Sequence, residues 1–200
     1  MPVLGITGGI ATGKTLFTGC LASLVPGMPV FDSDACAREL TTSDPAILAA
    51  IRDRFGPEVF DVTGALQRSA LRAIVFADPV KRKALEAILH PAIRRSWLEL
   101  ARTVREQPGN PWLAVDIPLL FETSAETHFD RIVVVACSAL TQRTRLMDYR
   151  HLTPGLADSM IASQLPLAAK IERADFAVWN EGLPEALRFQ TRLLFLHLFS

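Results

Sequence analysis

Residues Gly8-Gly9-Ile10-Ala11-Thr12-Gly13-Lys14-Thr15 fit the pattern G-x-x-x-x-G-K-[ST] and follow a short apolar segment, Val3 to Ile6. The pattern requires a strand, a tight loop and a helix in that order. Gly8 and Gly13 let the backbone curl so that successive N–H groups face one centre that no side chain crowds. Lys14 adds a mobile positive charge for the β- and γ-phosphates, and Thr15 offers a hydroxyl to Mg2+. The helix that starts there points its positive end at the anion. Leu16, Phe17, Cys20, Leu21 and Leu24 carry the helical spacing that must follow. The expected ligand is a nucleoside triphosphate.

A dinucleotide fold is the closest rival, because Thr7-Gly8-Gly9 followed by Gly13 also resembles the opening of a short-chain dehydrogenase, with Asp32 near the position of a ribose-binding acid. Two absences count against it. The G-x-G-x-x-G spacing is missing, and the only tyrosine, Tyr149, has Thr153 four residues on, so the catalytic Tyr-x-x-x-Lys pair of that family cannot form.

The chain's 200 residues, 50% of them hydrophobic, suffice for one compact domain with sub-lobes and a full core. The 21 basic and 21 acidic residues cancel, so net charge gives no reason to expect a nucleic-acid or membrane partner. Cys20, Cys36 and Cys137 lack C-x-x-C spacing and read as buried, reduced thiols. The four histidines form no zinc-binding pattern. The opening Met-Pro-Val-Leu has no cationic leader, and no apolar run approaches the roughly 18 residues of a membrane span, so a cytoplasmic location is expected.

After the first helix, Pro26-Gly27 breaks the pattern, and Met28 to Phe31 reads as a second strand ending in Asp32-Ser33-Asp34. Helical patterns occupy Ala35 to Leu40, Ala46 to Phe55, Gln67 to Phe76 and a long stretch to about Gln107 that Asp78 caps and Pro79 opens. Pro108 to Pro111 closes this helical insertion, and Trp112 to Asp116 resumes as a buried strand. Arg131 to Cys137, with four successive β-branched residues, is the clearest strand and should be central or nearly so. Helices follow at Thr141 to Arg150 and Leu156 to Ala174, then a strand at Phe176 to Trp179 and a closing helix at Pro184 to Phe199. That last helix is apolar around much of its circumference and is expected to pack on the core rather than serve as a contact surface.

The phosphate loop, Asp32-Ser33-Asp34, Leu89-His90-Pro91, Pro118-Leu119-Leu120-Phe121-Glu122 and Asn180-Glu181-Gly182, taken in order over almost the whole chain, resemble the dephospho-coenzyme A kinases. The resemblance implies an α/β P-loop NTPase three-layer fold with a parallel five-stranded sheet, a helical acceptor-binding insertion and a helical lid. It implies one kinase domain, with a core at 1–34, 110–137 and 172–200, an acceptor lobe at 35–109 and a lid at 138–171. The implied activity is ATP-dependent phosphorylation of the 3′-hydroxyl of dephospho-coenzyme A, the final step of coenzyme A synthesis, with Mg2+ as cofactor. A monomer or weak homo-oligomer is expected, with a small-molecule substrate as partner and neither nucleic acid nor membrane.

Phosphoryl transfer needs positioning, charge neutralisation and a group that accepts or orients the hydroxyl proton. By likeness to the family, Asp34 holds the acceptor hydroxyl, with Asp32 supporting it or reaching the hydrated metal; Asp34 is also well suited to cap the helix predicted from Ala35. Asp116 and Thr15 are the metal candidates, although Asp116 equally fits an ordinary strand-end carboxylate. Gly8 to Leu16, Arg145, Arg150 and Asn180 are assigned to ATP. His90, Pro118, Leu119, Leu120 and Glu122 are assigned to the acceptor, with a helix kink as the alternative at His90. The catalytic set is Lys14, Asp32, Asp34 and Arg145.

Three further details concern the lid and the loop. The lid is read from Gln142, Arg143, Arg145 and Arg150, with a solvated helical face as the alternative. Where a second lid arginine is expected, four residues after Arg145, the chain has Tyr149, leaving open which arginine reaches ATP. Ala11 replaces a commoner glycine and should be tolerated only at negative φ.

Overall fold

The computed structural model describes residues 2–106 and 112–198. The break expected at Pro108 to Pro111, with the lobe boundary set there, and the expected final helical residue Phe199 lie outside them. The chain divides into two compact units, Met1–Phe31 with Thr103–Ser200, and Asp32–Arg102.

The first unit is built on five strands: β1 (Val3–Gly8), β2 (Val30–Asp32), β3 (Leu113–Asp116), β4 (Arg131–Ala136) and β5 (Phe176–Trp179). They form one sheet in the order β2-β3-β1-β4-β5, with β1 parallel to β3 and β4, and β4 parallel to β5. This is the expected parallel sheet. Strand β4 lies one place from the edge, and its β-branched side chains alternate between two apolar layers. Val133 and Val135 join Leu4, Ile6, Phe17, Leu21 and Leu187 on one side. Ile132, Val134 and Ala136 join Leu120, Phe121 and Ala125 on the other.

Helix α1 (Lys14–Leu24) follows β1 directly, and α9 (Pro184–Leu198) buries Leu187, Thr191 and Leu194. Packing explains only one stripe of α9, because Phe189, Leu193 and Leu196 remain exposed. On the opposite side, Leu167 and Ile171 of α8 (Leu167–Arg173) lie against the second apolar layer. The helix expected over Leu156 to Ala174 is in fact two, α7 (Pro154–Ala162) and α8. Pro166 explains the break: it lacks an N–H, its ring would clash with the Ala162 carbonyl in a continuous helix, and it disfavours helical geometry at Leu165 before it. Helix α6 (Ala139–Arg150) precedes them and is capped by Ser138, whose side chain accepts from the Thr141 amide.

The second unit contains α2 (Ser33–Ser43), α3 (Pro45–Phe55), α4 (Arg68–Ala77) and most of α5 (Pro79–Glu106) around Ile47, Ile51, Phe55, Val59 and Leu71. Asp44 caps α3 by accepting from the Ala46 and Ile47 amides at 2.9 and 3.1 Å. Asp78 accepts from Val80 at 2.8 Å, as its placement before Pro79 predicted. Pro91 sits inside α5 without ending it. Of the three cysteines only Cys137 is buried, which corrects the expectation for Cys20 and Cys36; all three are free thiols.

Candidate active site

Strand β1 delivers Gly8 to the sheet's carboxyl edge, and the loop to Lys14 turns back into α1. A Cβ on Gly8 would lie 2.2 Å from the Val135 carbonyl oxygen of β4, so no side chain fits where the loop leaves β1. Gly13, which precedes α1, has φ 93°, and a Cβ there would meet Asn180 Nδ2 at 2.1 Å. Lys14 is half-buried at the start of the helix, while Thr15 and Leu16 are exposed.

Ala11 has φ 59°, against the expectation of a negative value. The loop keeps its left-handed turn, and alanine carries the steric cost. Relief of roughly 1–2 kcal/mol, less an unfolded-state entropy offset of roughly 0.4–1, makes Ala11→Gly stabilising by about 0.5–1 kcal/mol. A rise in the urea midpoint checks this.

The loop's carbonyls are held from outside. Gly8 O accepts from Lys170 Nζ at 3.4 Å, and Gly9 O from Thr12 Oγ1 at 2.9 Å. Ile10 O accepts from Gln142 Nε2 at 2.7 Å, and Ala11 O from Arg145 Nη1 at 3.2 Å. Thr12 O accepts from Asn180 Nδ2 at 2.8 Å and Arg145 Nη1 at 3.3 Å. In a trans peptide the carbonyl and the following N–H point in opposite directions. Fixing these carbonyls therefore turns the next amides away from the bracing side chains, which is how a chain of neutral groups becomes an anion-binding concavity. Ile10 N is itself used, donating to Gln164 Oε1 at 2.7 Å.

Arg145 thus sits beneath the loop, with Nη2 also donating to Asn180 O at 3.0 Å, whereas Tyr149 and Arg150 are exposed at the end of α6. Asn180 is buried and spends its side chain on the loop. Glu181 ties the start of α6 to this corner through the Ser138 amide and the Ser138 and Thr141 hydroxyls, bonds that hold its carboxyl below the ordinary value. Burial pushes the neighbouring Cys137 thiol up to about 11, so it stays protonated at neutral pH.

Asp116 ends β3 in register with Ile6, and the next amide, Ile117 N, donates to Ile6 O at 2.9 Å. Pro118 O accepts from Thr7 Oγ1 at 3.2 Å and Lys170 Nζ at 3.1 Å. Leu119 is half-buried, and Leu120 lies fully inside the second apolar layer. Glu122 pairs with Lys170 at 2.8 Å and accepts from Leu165 N at 3.0 Å. Neither Lys170 nor Gln164 is assigned to the site from the sequence. Neither belongs to a short motif, because each meets the loop from more than 150 positions away.

In the second unit, Asp32 caps α2 by accepting from Ala35 N at 2.9 Å. The helix begins at Ser33, two residues earlier than expected, so the capping role considered for Asp34 belongs to Asp32. Asp34 lies exposed in the first turn. His90 is half-buried in α5, and burial lowers its pKa below 6.5, opposed by Glu86 and assisted by Arg94. The neutral imidazole is favoured by folding. Its contribution to stability is complete above the unfolded value near 6.5 and is lost as pH falls through the folded value. Thermal unfolding between about pH 7.5 and 5 should therefore show a decline that His90→Gln flattens.

A parallel sheet, a Gly-rich turn into a helix and an adjoining strand-end carboxylate define the class: a P-loop phosphotransferase fold. The family model for dephospho-CoA kinase matches residues 2–185. The dephospho-CoA kinase of Anaeromyxobacter dehalogenans is 46% identical over 187 residues, covering 94% of this chain and 87% of the relative. That of Xanthomonas euvesicatoria is 45% identical over 195 residues, 96% of this chain and 93% of the relative. Among solved structures, TT1252 from Thermus thermophilus superposes with a TM-score of 0.79 at 32% identity, covering 98% of this chain and 97% of the other. The chain belongs to the dephospho-CoA kinase family, enzymes that use ATP to convert dephospho-coenzyme A into coenzyme A as the last step of its synthesis. No helix among the described residues is long and apolar enough to cross a membrane.

Proposed function

We propose that this chain transfers the γ-phosphoryl of ATP to the 3′-hydroxyl of dephospho-coenzyme A, as a cytoplasmic monomer or weak homo-oligomer acting on a small molecule. The observation that carries the reading is the braced loop. Each carbonyl from Gly8 to Thr12 accepts from a side chain, four of them from side chains outside the loop, which fixes the turn of the backbone ahead of Lys14 and α1. Such a site stabilises charge without reorganising during the reaction.

Thr15 and Asp116 are the residues that would hold Mg2+. Their donors are a hydroxyl and a carboxylate, the hard oxygens this ion prefers, and Mg2+ is commonly held by one or two carboxylates plus substrate phosphates rather than by an all-protein cage. That fits the absence, among the described residues, of any group of three or more His, Cys, Asp or Glu able to hold a metal. When bound, the ion would offset the negative charge of the phosphates.

Within the reaction, Lys14 draws the β- and γ-phosphates into line, and Arg145 fixes the Ala11 and Thr12 carbonyls while adding positive potential behind them. Asp34 accepts or orients the proton of the attacking hydroxyl; its place in the turn is fixed by the Asp32 cap rather than by a cap of its own. Helices α6 and α7 act as the lid, with Arg150 at its exposed end available to the nucleotide, and His90 serves the acceptor. Lid closure excludes water that would otherwise take the phosphoryl group.

ADP release coupled to a dye-linked assay, run over a panel of hydroxyl acceptors, tests this reading. Turnover with dephospho-coenzyme A and none with coenzyme A, whose 3′ position is already phosphorylated, is expected. Turnover with shikimate or a nucleoside monophosphate in its place would contradict it.

A further inference from the structure

We propose that Lys170 is a positioning residue for ATP, acting through the Gly8 carbonyl from beneath the loop, with Glu122 as the group that holds it there. This inference rests on the reading of the Gly8–Thr15 loop as the triphosphate site. Lys170 is one of the largest fully buried side chains in the protein, an unusual place for an ammonium group. Its three N–H donors match three acceptors: Glu122 Oε1 at 2.8 Å, Pro118 O at 3.1 Å and Gly8 O at 3.4 Å.

A buried ion pair of this kind is weak evidence for stability, since apolar residues of similar volume often replace one at no cost. The acceptors indicate what it does instead. Pro118 O has a second donor in Thr7, and Glu122 a second in Leu165 N, whereas Lys170 is the donor seen at Gly8 O. The Gly8–Gly9 peptide is where β1 gives way to the phosphate loop, and its carbonyl direction sets the Gly9 amide. Without the ammonium, that plane can rotate, and the first amide of the concavity is no longer held for the anion. Because Lys170 lies on α8 and Glu122 follows β3, the pair also links α8 to the segment after β3 beside the loop.

The test is Lys170→Met combined with Glu122→Leu, which removes both charges together and leaves no uncompensated buried charge. Titration calorimetry with MgATP is compared across the wild type, Lys14→Ala and this double variant, alongside thermal melting. A melting temperature within about 3 °C of wild type and MgATP binding weakened about tenfold are expected. A folded double variant that binds MgATP as tightly as wild type would overturn the proposal. Should the double variant not fold, Lys170→Met alone takes its place, since the Glu122 side chain keeps 21% of its surface in water, and unchanged MgATP affinity there would overturn it equally. If wild type itself takes up no MgATP, the failure belongs to the reading of the loop and not to Lys170.

Discussion

Lys14→Ala is expected to lower kcat/KM for ATP by about 10²–10³-fold, the range found when one preorganised donor to a developing anion is removed. The residue is half-buried at the first turn of α1 and follows Gly13, which is in the left-handed conformation. Because the surrounding carbonyls are fixed by other side chains, the truncation leaves the loop's shape in place and removes only its mobile charge. Folding stability should change by less than about 1 kcal/mol, as for a substitution away from the core. A stopped assay at saturating acceptor gives the kinetic figure and urea denaturation the second. Parallel losses in both would mean that Lys14 supports the fold rather than the phosphates.

Asp34→Asn is expected to reduce kcat by about 10²–10⁴-fold, the span of a positioned acid–base group, with little change in the KM for ATP. The substitution keeps size and hydrogen-bonding capacity and removes the proton-accepting charge. The structure sharpens this expectation. With Asp32 accepting from Ala35 N, the start of α2 does not depend on the Asp34 side chain, so a loss of activity cannot be ascribed to an uncapped helix. The comparison is Asp32→Ala, which should cost about 1 kcal/mol of stability through the lost cap. Equal activity of Asp34→Asn and wild type would remove Asp34 from the mechanism.

Those two carboxylates also show what the sequence could and could not convey. Asp-Ser-Asp before a helical pattern announces a cap, but either aspartate satisfies the pattern; only the backbone at Ser33 decides between them. The strands were legible because β-branched runs such as Ile132 to Val135 match a sheet buried on both faces, and the loop because its glycines answer a steric demand. Pro166 was a visible signal that the helix from Leu156 must break, and the apolar period on either side of it concealed the break. The sign of φ at Ala11 was beyond reach, because the loop around it, tied to Arg145, Gln142 and Asn180, overrides the local preference of alanine. Those braces come from segments more than 130 positions downstream, and no local pattern marks a glutamine or lysine that will meet a backbone carbonyl so far away.

Arg145 illustrates the same point from the other side. The sequence offers it as a lid arginine or as part of a solvated helical face, whereas its guanidinium lies against carbonyl oxygens of the loop. Arginine suits that place because its planar fork reaches Ala11, Thr12 and Asn180 from two nitrogens at once.

Titration calorimetry of MgATP into the folded wild-type protein tests most directly whether the outward-held carbonyls create a triphosphate cradle. A single saturable site, lost or strongly weakened in Lys14→Ala, is the expected result. No heat of binding from protein whose circular dichroism and cooperative melting show it to be folded would contradict it.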